Sequence, residues 1–158
     1  MKINKKFIIL ISILSILIMT IIVYKNRYIK NKYINIDNLV YEAYTYKNGY
    51  DDNMKKHIDI KVFNCLNLYR WYNEKKDENP PTDISLKLKE INQHKIDEKI
   101  FIYMKYTLEF NTKYGSDIVH TRAWDNIVVF QVIEKNGEPY IEKRKEYEIE
   151  NDVPKSYR

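Results

Sequence analysis

Ile127-Val128-Val129-Phe130-Gln131-Val132-Ile133-Glu134-Lys135-Asn136-Gly137-Glu138-Pro139-Tyr140-Ile141 sets two β-branched, aromatic runs on either side of an Asn-Gly pair. Asn-Gly tolerates the positive φ that a two-residue primed turn demands, so the stretch reads as a β-hairpin. Working back toward the N-terminus, residues 119–133 form a long strand with a bulge near Asp125-Asn126, preceded by a turn at Tyr114-Gly115-Ser116-Asp117. Ile100, Ile102 and Met104 alternate along the strand before it, while Phe101, Tyr103 and Tyr106 make its other side aromatic, so both faces are expected to be partly covered. Ile84, Leu86 and Leu88 alternate with Ser85, Lys87 and Lys89 in a first strand, with a turn over 92–97. Beyond the hairpin, the last strand ends near Ile149, and 151–158 is expected to be a flexible tail.

The period changes upstream. Asp37 is placed to cap a helix carrying Leu39, Val40, Ala43, Tyr44 and Tyr46, stopped by Gly49. A short helical turn follows over Met54 to His57. Asp59 caps a longer helix in which Val62, Phe63, Leu66 and Tyr69 recur at helical spacing, ended by Asn79-Pro80-Pro81. Helices first and a four-stranded meander second define an α+β domain with its helices on one sheet face.

The N-terminus is of a different kind. Residues 7–24 form 18 positions without a charge, flanked by Lys5 and Lys6 on one side and Lys25 and Arg27 on the other. As a helix they would rise about 27 Å, close to a hydrocarbon core of about 30 Å. The expectation is a transmembrane signal anchor; a cleaved signal peptide fits less well, because no A-x-A-like site follows. The organisation read from the sequence is a cytoplasmic tail over 1–6, the anchor over 7–24, a connector over 25–35, the α+β domain over 36–150 and the tail over 151–158. That places a single-pass protein in the cell membrane with its C-terminal domain outside the cell, membrane lipid being its partner through residues 7–24.

The formal charge of +5 invites a nucleic-acid reading, but seven of the 27 basic residues lie within 1–34, which has no acidic residue. The remaining 20 face all 22 acidic residues, a net charge of −2. Such a domain has no cationic excess with which to displace counterions from a phosphate backbone, so nucleic acid is not an expected partner. Cys65 is the only cysteine, which excludes an intramolecular disulfide and any CxxC pair; its expected state is a buried, inert thiol. The three histidines carry no HxH or HExxH spacing, so no metal site and no cofactor are read.

The helix-stop-helix stretch Tyr46-Lys47-Asn48-Gly49-Tyr50 with Met54-Lys55-Lys56, followed by the hairpin from Val132 to Ile141, resembles the NTF2-like superfamily over about residues 36–150. The resemblance is one of pattern, and Tyr140 stands where the family's final strand often carries Trp. It implies a cone of about three helices packed on a curved antiparallel sheet of about four strands. It also implies kinship with small extracytoplasmic proteins of Gram-positive bacteria and with VirB8-type components of conjugation machinery.

Asp117, His120, Arg122, Trp124 and Asp125 are the densest mixture of charged and aromatic groups in the chain. On an extended strand His120, Arg122 and Trp124 share a face, which sets a guanidinium and an imidazole over an indole. His120, Arg122, Trp124 and Asp125 are therefore the candidate ligand-binding residues; no catalytic residue is read. The leading functional expectation is a membrane-anchored, extracytoplasmic interaction or scaffold domain without catalytic activity, acting in an envelope or conjugation-type assembly through a protein partner or self-association. The alternative is a ligand-binding or enzymatic domain that uses a polar-lined cone cavity.

Overall fold

The hairpin closes as its turn chemistry requires. Asn136 and Gly137 take φ of 56° and 80°, and the strands pair outward from Lys135 and Glu138. The computed structural model describes residues 13–21, 32–73, 80–114 and 116–158. The chain divides between Lys32 and Tyr33 into two units.

In the first unit a helix, α1, is described over 13–21; within it Thr20 Oγ1 donates to the carbonyls of Ile16 and Leu17 at 3.1 and 2.7 Å. Among the described residues no helix is long and apolar enough to cross a membrane. The expected transmembrane anchor over 7–24 is thereby corrected, and with it the signal-anchor, extracytoplasmic and single-pass cell-membrane readings that rested on it. Apolar composition prompted the reading, whereas crossing a membrane requires an uninterrupted helix of about 20 residues. Residues 7–12 and 22–24 of the expected span, the tail over 1–6 and 25–31 of the connector lie outside the described residues.

The second unit runs α2 (Asp37–Thr45), α3 (Met54–His57), α4 (Ile60–Leu66), α5 (Leu68–Asn73), β1 (Thr82–Ile96), β2 (Lys99–Tyr114), β3 (Asp117–Lys135) and β4 (Glu138–Tyr147). Two 3-10 turns close it, Glu150–Asp152 and Lys155–Tyr157. It is an α+β unit whose four strands form an antiparallel meander in the order β1-β2-β3-β4. The expected bulge lies where Tyr106 pairs with Asn126 and Leu108 with Ala123, with Asp125 at φ 47°. The turn expected over 92–97 is shorter, because β1 stays paired as far as Ile96 opposite Lys99.

Helix starts follow local side-chain bonds. Asp59 Oδ1 accepts from Lys61 N at 2.8 Å and caps α4 as expected, whereas Asp37 is the first residue of α2, whose N-cap position is held by Ile36 without a side-chain cap; Asn35 Oδ1 accepts from Asp37 N at 2.9 Å. The long helix expected after Asp59 is broken at Asn67, which is 1% exposed. Its Nδ2 donates to Ala43 O at 3.0 Å and Tyr46 O at 2.8 Å, satisfying carbonyls that the end of α2 leaves unpaired. Its Oδ1 accepts from Arg70 N at 2.8 Å and starts α5.

One sheet face carries Ile102, Met104, Val128, Phe130, Val132 and Ile141 against Val40, Ala43, Met54, Ile58, Phe63 and Leu66 of the helical segment. The opposite face holds a smaller cluster of Phe101, Tyr103, Ile127 and Val129, covered by Val153. Val153 is fully buried and the Tyr157 ring stacks on Phe101 with centroids 4.2 Å apart. The segment expected to be a flexible tail is therefore the lid of a second small core, because the aromatic outer face of β2 leaves apolar area that something must cover.

Candidate functional site

Between the helices and the sheet lies a cavity of about 370 Å³ whose walls include Tyr44, Cys65, Trp71, Tyr72, Tyr106, Leu108, Phe110, Arg144 and Glu146. Each wall arises from a different local feature. Tyr44 is the last buried residue of α2. Trp71 is held at the rim by its indole N–H, which donates to Asn64 O at 3.1 Å, and Tyr72 meets Phe110 edge-on at 5.8 Å.

Arg144 and Glu146 arrive through an irregularity. Val132 pairs with Ile141 but Gln131 pairs with Lys143, so Glu142 is an extra residue in β4. Were Glu142 regularly paired with Gln131 instead, alternation from Ile141 would put Lys143 and Lys145 on the helix side. With the bulge, Arg144 lies opposite Phe130 and Glu146 opposite Val128, both residues of the helix-side core.

Three polar groups form a chain in the cavity wall, with Tyr44 beside them. The Tyr106 hydroxyl donates to Glu146 Oε1 at 2.5 Å, and Arg144 Nη2 donates to the same oxygen. The Tyr44 and Tyr106 rings are 5.9 Å apart and tilted by 48°. Burial, followed by the neighbouring Tyr106, pushes the Tyr44 phenol far above its ordinary range; burial and then the bond to Glu146 raise Tyr106 as well. Both hydroxyls are protonated donors at neutral pH. The Arg144 side chain is only 14% exposed, and its Nε is buried without a hydrogen-bond partner. An orphaned donor of this kind in a cavity wall is a place for an acceptor.

The residues expected to bind a ligand are elsewhere. Thr121 and Ala123 pair with Phe110 and Leu108 on the helix side, so His120, Arg122 and Trp124 project from the opposite face. The Arg122 guanidinium lies 3.4 Å from the Trp124 ring centroid and its Nε is 2.7 Å from Glu109 Oε1. His120 Nδ1 is 2.9 Å from Asn111 Oδ1, and Asp125 is exposed in the bulge. Alternation brought the first three together but on an open face, not in the cavity between the helices and the sheet. Cys65, expected to be buried, is exposed at the cavity rim.

A second cleft of about 360 Å³ lies on the outer face between Phe101, Gln131, Lys143, Lys145 and Tyr157. No group of three or more His, Cys, Asp or Glu side chains able to hold a metal occurs among the described residues. Compared with known proteins, the chain matches no family model, no curated protein and no solved structure.

Proposed function

We propose that this domain binds a small, largely apolar molecule carrying one hydrogen-bond acceptor, in the cavity between its helices and sheet. The observation that carries the reading is the buried, unpartnered Nε of Arg144, a residue that with Glu146 brings charge to a mainly aromatic and aliphatic wall. A volume near 370 Å³ with few polar groups falls in the range of small-molecule sites. Arg144 and Glu146 offset each other's charge, so the site favours a carbonyl or a single anionic head over a polyanion. Binding is supported over catalysis by the state of the polar chain. Tyr44 and Tyr106 hold their protons, arginine is no base at neutral pH, and Glu146 Oε1 already accepts from two donors.

The test uses 8-anilinonaphthalene-1-sulfonate, an apolar aromatic with an anionic head, titrated into the folded chain. Saturable binding of one dye per chain is expected, with alkylation of the rim thiol Cys65 slowed in its presence. Arg144→Gln should weaken that binding at least tenfold, and Tyr41→Ser, outside the cavity wall, should leave it unchanged. Equal affinity of the Arg144→Gln chain and the parent would overturn the reading.

The interaction-domain reading, without its membrane placement, draws on a separate observation: Ile118, Val119 and Trp124 are exposed together at one end of β3.

A further inference from the structure

A sheet of four strands has two outer edges, and both carry stops in this protein. Along β1, the Gln93 side chain takes the N–H groups of Tyr33 and Ile34 at 2.8 and 3.1 Å and donates to Ile34 O, which fastens the segment before α2 to the strand near its end. Along β4, Ile58 bridges to Ile141 and Asp59 N donates to Ile141 O at 2.9 Å. Sheet edges that remain open are templates for another strand, which is why proteins block them.

A third edge has no such stop. β4 follows β3 only as far as Tyr147 opposite Ile127, whereas β2 continues along β3 to Asp117. Residues 117–126 therefore have β2 on one side and no strand on the other among the described residues. This stretch contains neither lysine nor proline, and Ile118 and Trp124 are 67% and 62% exposed. Tyr114 pairs with Asp117 across two intervening residues, and a turn of that length closes on a pair that exchanges both backbone hydrogen bonds. Asp117, Val119, Thr121 and Ala123 thus direct their backbone groups to β2, and Ile118, His120, Arg122 and Trp124 direct theirs outward.

We infer that this edge pairs with the same edge of a second copy of the chain, antiparallel about a two-fold axis at Thr121. In that register Ile118 lies opposite the other copy's Trp124 twice over, and His120 opposite Arg122. Moving the axis to His120 or Arg122 instead sets Ile118 against Arg122, or Trp124 against His120, and pairs an apolar group with a polar one. Asp125, at φ 47°, ends the regular strand just beyond the matched stretch. Pairs of an aromatic with a β-branched residue are among the favourable cross-strand neighbours. Edge pairing over residues 118–124 covers less than the roughly 800 Å² a side of a standard interface, so the dimer is weak and concentration-dependent. The inference is independent of the cavity, whose walls do not include these residues.

The test is position-specific cross-linking of the full chain carrying Cys65→Ser. One preparation adds Ile118→Cys and the other Trp124→Cys; each mixed dimer keeps one native Ile–Trp pair. Cα atoms of a hydrogen-bonded antiparallel pair lie about 5.5 Å apart, within disulfide range. In the mixture, linked dimer should form at least tenfold faster than in either preparation alone, because like positions are offset by six residues, or about 20 Å. Association elsewhere in the chain raises all three rates alike. His120→Pro in both preparations removes an outward N–H at an edge position that tolerates proline, and should abolish the excess with an unchanged circular dichroism spectrum. Equal rates in the three samples, or an excess that survives His120→Pro, would overturn the inference.

Discussion

Asn67 shows how much a single side chain decides. Its amide satisfies two carbonyls at the end of α2 and accepts from Arg70 N in the first turn of α5, so one buried residue both ends α4 and fastens α2 to it. Asn67→Ala leaves those buried carbonyls unpaired and should cost about 2–3 kcal/mol, read as a lower urea midpoint at unchanged slope. Gly137, at φ 80°, is bound by a different constraint: nothing lies within 4 Å of a Cβ added there, so only backbone strain opposes a side chain. Gly137→Ala should cost about 1–2 kcal/mol by the same measurement, with the hairpin register intact. Gly137 was legible from its neighbours in sequence because turn chemistry is local. Asn67 was not, because its partners Ala43 and Tyr46 lie more than 20 residues away.

At the scale of elements, β4 and the closing 3-10 turns carry the least expected features. The residues 142–148 read as a charged edge strand, and β4 is an edge strand. The bulge at Glu142 nevertheless turns two of those charges, Arg144 and Glu146, toward the helices. Deleting Glu142 should remove the bulge while leaving Lys143 opposite Gln131 and Arg144 opposite Phe130, so that Arg144 stays in the wall. The expected outcome is dye binding close to the parent's alongside a retained strand content by circular dichroism; loss of binding with the strand content intact would contradict this register. The C-terminal segment acts through packing: Val153 is fully buried and Tyr157 stacks on Phe101. Val153→Ala should cost about 1–2 kcal/mol through the lost methyl groups and the residual cavity. Were the segment loose, the substitution would leave thermal stability unmoved.

For the whole molecule, pH is the informative variable. Tyr44 and Tyr106 have pKa values raised above the ordinary value near 10, first by burial. The folded state therefore holds protons that the unfolded state releases at that pH. The stability they contribute is complete below about pH 10 and lost as pH rises above it toward the folded values. The urea midpoint should stay flat on approaching pH 10 and then fall, and Tyr44→Phe should flatten part of that fall. At the acid end Asp51 works in the opposite sense. The hydroxyl of Tyr46 and then the N–H of Met54 hold its carboxyl below the usual range, so its contribution is present above about pH 4 and lost below.

By itself the sequence determined what depends on neighbours along the chain. The Asn136-Gly137 turn, the bulge near Asp125, the cap at Asp59 and the α+β order follow from φ preferences and from periods of two and about four residues. It also overreached: an apolar run at residues 7–24 suggested a membrane span, yet among the described residues no helix has the length that crossing requires. Only the tertiary structure decided which face each strand residue takes. Alternation states that His120, Arg122 and Trp124 agree with one another, but not whether they face the helices or the other side, and one bulge in β4 reverses the assignment of every residue after it. The cavity of Tyr44, Tyr106, Arg144 and Glu146 draws on α2, β2 and β4. No local signal joins them, because their proximity is a product of strand register and helix packing.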